Sequence, residues 1–450
     1  MNHLPKIVTL VFFSVMLAAC SKNNDTAPAP VPPPVTPPVT TASITDVTTT
    51  GGITGGPKNT VITINGTNFI TDTTKISVTV NGNRCALVSA AAGAIKAIIP
   101  ANCGTGNIVL TLNGTVLNGP VFNYSYTYTV ISITNGLVGF QDGVIATAKW
   151  DEAIAIATDS NNTIYTSGFN RPSVRMITAD MLNVSTIAGS RTKGDINAQG
   201  INAQFGLVNY LSVDKNGNIF FADASVNKIK KIDKLGNVTT FIATPIANAR
   251  TAKVDKQGNV YVLSGDAIAK YNAAGTLQWE FNSHGAGSVD GDTSVVKFNV
   301  IAATSITLDN AEDNLYYTTI NFNSTGFPSE IKKLDLQTLL TTTVAGMANT
   351  AGSADGSAAS ATFKVASGLA FDKQGGLYIA DAFNDKIRYL KNGTVSTLIG
   401  AGGYGDVDGD VSTAKIFNPQ SLAVTNKGDL IISCYFKNNL NDKLKKLVID

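Results

Sequence analysis

The sequence predicts an all-β fold in two units, a small antiparallel β-sandwich followed by a six-bladed β-propeller, and three observations predict it. Between Ala42 and Tyr128, runs such as "TVITINGTNF", "KISVTVNG" and "GNIVLTLNG" alternate apolar and polar residues and are punctuated by Asn-Gly and Gly-Thr, the pattern of half-buried strands joined by tight turns. Past residue 128 a strand-turn-strand element recurs as "ATDSNNTIYTSG", "SVDKNGNIFFAD", "KVDKQGNVYVLS", "TLDNAEDNLYYTT", "AFDKQGGLYIAD" and "AVTNKGDLIISC". Counted between Asp159, Asp214, Asp255, Asp309, Asp372 and Asn426, the copies lie 41 to 63 residues apart, which is the period of propeller blades. Third, an Asp-Gly pair precedes a large apolar residue by seven positions in four places: Gly143 to Trp150, Gly291 to Phe298, Gly356 to Phe363 and Gly409 to Ile416.

This last element explains a stretch that looks like filler, "AGSADGSAASATF". Asp bonds its own following backbone and Gly accepts positive φ, so the pair makes a tight turn. The small residues let the connection run close to the blades, and the aromatic is expected to plug the junction between neighbours. A fifth copy, "GDINAQGINAQF", keeps Phe205 but has Asn197-Ala198 in place of Asp-Gly. The copy around Ala252 to Phe281 lacks the element, so its connection should be short. The last blade supplies three strands of its own, and "TVISITN", Thr129 to Asn135, is expected to close the ring as its outer strand.

Before these units stands "MNHLPKIVTLVFFSVMLAAC". The apolar run from Ile7 to Ala19 is too short to span a bilayer and reads, over residues 1–19, as a secretory signal. Leu17-Ala18-Ala19-Cys20 resembles the lipobox of bacterial lipoproteins. That resemblance implies cleavage before Cys20, lipidation of its thiol and an anchored protein, with Ser21 permitting transport to the outer membrane, on its outer or periplasmic side. Residues 20–41 then form a tether: seven prolines between Pro28 and Pro38 favour an extended polyproline II spacer.

The stretches "GGPKNTVITINGTNF", "VTVNGNRCALVSA", "AIIPANCGTGNIVLTLNG" and "GPVFNYSY" resemble an IPT/TIG domain, which implies an immunoglobulin-like sandwich over residues 42–127 acting as spacer or interaction module. The hairpin motif "VDKxGN", the following strand pair and the Asp-Gly connection resemble the NHL repeat, best in Phe363 to Leu398 and next in Phe205 to Phe241. This implies an NHL-type propeller over residues 128–450.

Composition narrows the function. A net charge of +2 with 15% charged residues leaves no basic footprint for nucleic acid. Only His3 and His284 occur, so the zinc site that some NHL-related lyases hold through histidines cannot be supplied. Propeller lactonases use Glu, Asn and Asp around calcium; Glu152 and Glu280 are present but nothing ties them to such a set. A carboxylate pair for glycoside cleavage depends on spatial separation that sequence does not give. Cys85 and Cys103 are the expected partners of a disulfide, worth about 3 kcal/mol by loop entropy, and Cys434 is expected to be a buried thiol. "GDVDGD" offers Asp406, Asp408 and Asp410 to calcium, although turn formation is the preferred reading, and His284 should be exposed.

The loops between second and third strands repeat an aromatic followed by Asn: Phe169-Asn170, Phe322-Asn323 with Phe327, Phe383-Asn384, and Tyr435-Phe436 before Asn438. These residues serve either as stacking platforms and amides for a glycan or extended peptide, or as blade caps and turn formers. The expectation is a non-catalytic binding module for a glycan or protein ligand, the alternatives being an assembly component of an envelope complex or a propeller hydrolase.

Overall fold

The computed structural model describes residues 41–49, 55–151, 153–168, 171–265, 267–285, 287–298, 305–435 and 442–450. Cys20 and the tether as far as residue 40, Glu152, Phe169, Asn170, Phe436 and Asn438 lie outside the described residues.

The first unit is a sandwich of two sheets. One orders Ser43–Thr49, Val61–Thr67, Ala94–Ile98 and Ala86–Ala91; the other orders Gly55–Gly56, Thr115–Tyr124, Gly106–Leu112, Ile76–Val80 and Asn83–Arg84. Period-two alternation puts Ile62, Ile64, Val78, Val80, Ile95, Ile108 and Leu110 on the inner faces, where they are fully buried. Cys85 and Cys103 lie in the same core as free thiols, so the expected disulfide is not formed. Burial pushes the Cys85 thiol up to about 11, with the neighbouring Cys103 adding to it.

The second unit is a ring of six blades. Its inner strands are Ala155–Thr158, Ser212–Val213, Thr251–Val254, Ile306–Leu308, Ala366–Phe371 and Pro419–Val424, and each neighbours the next right round the ring. Within blade 5 the order is Ala366–Phe371, Leu377–Asp381, Lys386–Lys391 and Thr394–Ile399, all antiparallel. Blade 6 takes Pro419–Val424, Leu430–Cys434 and Lys443–Ile449 from the end of the chain, and Tyr128–Ser132 pairs alongside as its outer strand, Tyr128 opposite Ile449 and Ser132 opposite Lys445.

The recurrent hairpin aspartate works as a turn clamp. Asp214 Oδ1 accepts from the amides of Asn216 and Asn218, both at 2.8 Å, and Asp255 does the same for Gln257 and Asn259 at 2.9 and 2.8 Å. Neighbouring hairpins are then tied together. Lys256 Nζ donates to Asn310 O, Asn310 Nδ2 to Asp372 O, Lys373 Nζ to Asn426 O, and Asn426 Nδ2 to Ser160 O, at 2.9, 2.8, 2.5 and 3.2 Å.

Trp150, Phe205 and Phe363 sit as plugs where their spacing predicts, and in the last copy Phe417, next to the predicted Ile416, shares the buried place with it. Trp150 packs with side chains of blades 1 and 6, Phe205 with blades 1 and 2, Phe363 with blades 4 and 5, and Phe417 with blades 5 and 6, each 0 to 1% exposed. Each such ring removes an entire aromatic side chain from water at a junction that backbone pairing does not hold.

Candidate functional site

The Asp-Gly aspartates do more than turn the chain. Each meets a buried cation on the third strand of the blade it leads into: Asp142 with Arg175 at 2.8 Å, Asp290 with Lys332 at 2.9 Å, Asp355 with Arg388 at 2.5 Å and Asp408 with Lys445 at 2.7 Å. The four cations are 0 to 3% exposed. The second carboxylate oxygen accepts a backbone amide of the outer strand, from Thr186, Thr343, Thr397 and Ser132, at 2.7 to 3.0 Å. One aspartate therefore clips the connection to two strands at once. In blade 2, Asp195 and Asn197 hold Lys230 instead, at 2.5 and 3.0 Å.

Local geometry aims the cation. In blades 1, 2, 4 and 5 the pairing with the outer strand slips by one residue immediately before it, at Val174/Arg175, Ile229/Lys230, Ile331/Lys332 and Ile387/Arg388, and such bulges redirect side chains. Blade 3, whose connection lacks Asp-Gly, has Ala269 directly after Ile268 in the corresponding place and its slip lies at Lys270/Tyr271. Cation and aspartate are thus present together or absent together. The glycine after the aspartate extends the clip: Gly143–Val144, Gly356–Ser357 and Gly409–Asp410 pair as short fifth strands along the outer edges, covering backbone groups that would otherwise recruit another chain.

This arrangement corrects the calcium candidates. Asp406 is held by Lys443 and, at 2.6 Å, by Lys445, and Asp408 by Lys445, while Asp410 Oδ1 accepts from its own turn at Ser412. An ammonium already occupies the position a cation would take, and among the described residues no group of three metal-type ligands forms. Burial works to raise the Asp406 carboxyl, but the two lysines outweigh it and hold it below its ordinary range.

The channel at the ring axis, about 240 Å³, is lined by all six inner strands. Its lining is hydroxyl-rich, with Thr158, Ser212, Thr251, Ser305, Thr307 and Ser421, and contains one charged side chain, Lys253. Tyr210 of blade 2 reaches across and donates its hydroxyl to Ser367 O of blade 5, the opposite blade. This contact ties opposite blades together across the ring. Glu280 lies on the outer strand of blade 3, opposite Ala269, away from the axis, so the lactone-type set finds no seat there.

The candidate binding residues divide. Phe322, Phe327 and Phe383 come together across blades 4 and 5, with ring centroids 5.2 and 5.8 Å apart, and Phe322 and Phe383 remain 47 and 53% exposed. Phe327 is the anchor: it is half-buried against Ile320, Val365 and Ala382 and holds a left-handed backbone at φ 57°. Beside them Asn321 Nδ2 donates to Asn349 Oδ1 at 2.7 Å, and the Asn323 amide is capped by Asn321 at 3.0 Å. Asn384 is structural, donating to Gly352 O at 2.7 Å and Asp381 Oδ2 at 2.8 Å. Tyr435 belongs to blade 6, where its amide donates to Asn418 O at 3.2 Å. Tyr404, 59% exposed and 6.3 Å from Phe417, is an aromatic of the same face that the repeat pattern did not single out because it lies in a connection. His284 is exposed, and Cys434 is fully buried, its thiol pushed up to about 12 by that burial.

Comparison with known proteins fits this geometry. Residues 42–130 match the IPT/TIG domain family. The first unit is an IPT/TIG domain. No curated protein matches the sequence. Solved structures similar to the whole chain include a structural-genomics protein of unknown function from Bacteroides thetaiotaomicron VPI-5482, 18% identical with a TM-score of 0.66, the match covering 92% of this chain and 99% of that one. Auxiliary nutrient binding proteins from Bacteroides ovatus ATCC 8483 and Bacteroides thetaiotaomicron VPI-5482 are each 17% identical, with TM-scores of 0.55 and 0.53 and coverage of 92% and 99%. At such identity the likeness establishes the shared fold.

The IPT/TIG domain meets the propeller at the chain's last residue. Lys58 pairs with Asp450, and Thr127 and Asp450 exchange backbone hydrogen bonds at 2.8 and 3.0 Å. Tyr124, Tyr126 and Tyr128 continue the joint as a run of edge-on and tilted ring contacts, with centroids 4.9 and 6.3 Å apart.

Proposed function

We propose that this chain is a lipid-anchored protein of the bacterial outer membrane whose propeller binds a glycan, without cleaving it, on the face formed by its connections and inner loops. The observation that carries this reading is the aromatic surface of blades 4 and 5. Phe322 and Phe383 expose about half of their area on either side of the anchored Phe327, and exposed apolar rings flanked by amides suit the apolar face and hydroxyl rim of a sugar. Two similar structures named as auxiliary nutrient binding proteins support a binding role. A non-catalytic role is supported by the residues themselves: the clip carboxylates are spent on buried cations, and the channel lining carries no carboxylate or histidine among the described residues. The lipobox-like Leu17 to Cys20 and the proline-rich tether support anchoring at a distance from the bilayer.

A protein ligand is the second reading. The strand Ala86–Ala91 lies at a sheet edge of the IPT/TIG domain with Val88 52% exposed, which offers a partner a strand to pair with. Affinity gels cast with polysaccharides test the first reading: a retarding polysaccharide should lose its effect on F322A and F383A. No retardation by any polysaccharide, together with a stable membrane protein recovered in pull-downs, decides for the second.

A further inference from the structure

The channel breaks the repeat at one position. Two residues before the hairpin clamp, the blades carry Ala157, Ser212, Thr307, Ala370 and Ala423, all small, but blade 3 carries Lys253. Lys253 borders the channel void and is half-buried. Among the described residues its ammonium has neither a hydrogen bond nor an ion pair. The nearest acidic influence, Glu312, already accepts the Lys256 amide at 3.1 and 3.3 Å and pairs with the Lys256 ammonium at 3.8 Å. Burial accordingly pushes the Lys253 amine below its usual range. A buried charge without a counterion is expensive unless something else supplies one.

The hydroxyls around it are oriented as donors. Ser212 Oγ accepts from the Val254 amide at 3.1 Å, Ser305 Oγ from Leu369 at 3.2 Å and Ser421 Oγ from Ile156 at 3.4 Å. With those oxygens engaged as acceptors, and no protein acceptor taking their protons among the described residues, the three O–H groups remain to donate. A site that combines an ammonium with hydroxyl donors and no carboxylate recognises an oxyanion.

We propose that the channel is an anion site, in which Lys253 and the hydroxyl lining hold a small oxyanion, a phosphate or carboxylate group. This site shares no lining residue with the aromatic surface of blades 4 and 5 and does not rest on the glycan reading.

Titration calorimetry on the full chain with inorganic phosphate, and separately with acetate, tests it. Binding is expected for at least one probe, and Lys253→Met should weaken it at least ~10-fold, the worth of a charge-assisted hydrogen bond, while S212A weakens it less and F383A leaves it unchanged. Because methionine keeps the stem and removes a half-buried charge that has no counterion, K253M should melt no lower than the parent in anion-free buffer, so a loss of binding is separable from unfolding. Equal affinity in K253M, or no binding of either probe at millimolar concentration, overturns the proposal.

Discussion

Arg388→Met should be among the most damaging single substitutions in the propeller, and the structure gives its size. The guanidinium is fully buried and makes five contacts: Nε and Nη2 with Asp355 at 3.1 and 2.5 Å, Nη1 with Asp381 at 2.9 Å, and the carbonyls of Thr362 and Ala354 at 3.1 and 2.7 Å. Methionine keeps most of the packing against Phe363, whose ring centre lies 5.2 Å from the guanidinium carbon, but none of the polar contacts. Asp355 is 46% exposed and can turn to water, so its loss counts for little. Asp381 is 0% exposed and cannot. Left with only Asn384 and the Lys364 amide as donors, it becomes an uncompensated buried charge, and breaking such a pair costs about 3–5 kcal/mol. For a domain of this size that lowers Tm by roughly 6–10 °C, readable by calorimetry or urea unfolding. Burial already holds the Asp381 carboxyl above its ordinary range despite its hydrogen bonds and Arg388. In R388M it should rise further, so the deficit should shrink on acidification as Asp381 takes up a proton, and R388M/D381N should recover part of the loss at neutral pH. A loss below about 1 kcal/mol, or no recovery in the double variant, would refute the view that Arg388 and Asp381 are an obligatory buried charge pair.

Gly400→Ala should cost roughly 2–3 kcal/mol, because Gly400 sits at φ 93° and a Cβ would come within 2.2 Å of Asp385 O; an unchanged urea midpoint would show that the backbone there can move aside. Acid should act through the clips. Burial raises the Asp355 carboxyl, but the Arg388 hydrogen bond, the Thr397 amide and the Arg388 charge together bring it below its ordinary 3.8. A carboxylate with a depressed folded value stabilises fully above the ordinary value and loses that stabilisation as pH falls through the folded one. The stability gap between the parent and Asp355→Asn should therefore be constant near neutrality and close below pH 3.8, as urea midpoints against pH would show; a gap that persists in acid contradicts the ion pair. Ala269→Lys should destabilise blade 3, since it places an ammonium where no Asp-Gly connection supplies a counterion, and a stabilised variant by thermal melting would mean that Glu280 across the ladder serves instead.

Much of this architecture could be read in the residues, and the limits have physical causes. Blade number, hairpin clamps and aromatic plugs are local or strictly spaced, so Asp214 to Gly217 and Gly356 to Phe363 carry their meaning in sequence. The clip partners are not local. Asp355 and Arg388 are separated by a whole connection and two strands, and "KIRYL" looks like any amphipathic strand whose polar residues face water. The signal was nevertheless present: Arg175, Lys230, Lys332, Arg388 and Lys445 each follow an apolar residue at the same blade position, and Ala269 breaks the series in the one blade that lacks the aspartate's connection. Reading Asp355 as turn punctuation described its backbone and missed its charge. Among the candidate binding residues, alternation of aromatic and Asn could not separate Phe383, which is exposed, from Asn384, which is consumed by Gly352 and Asp381, because the two differ only in three-dimensional surroundings.

The pairing of Tyr128–Ser132 with Lys443–Ile449 sets the order in which this protein can become itself. A chain made from its N-terminus completes the IPT/TIG domain early, then carries an unmatched strand while five blades accumulate behind it. Bringing the ends of a loop of that length together costs about 5 kcal/mol in chain entropy, and nothing rewards the cost until the last seven-residue strand, Lys443–Ile449, arrives. The ring is therefore slow to form and all-or-none at its final step. A chain interrupted before Lys443 is not a propeller with five-sixths of its properties but an open arc with two bare edges, each a template for a neighbour in the same condition.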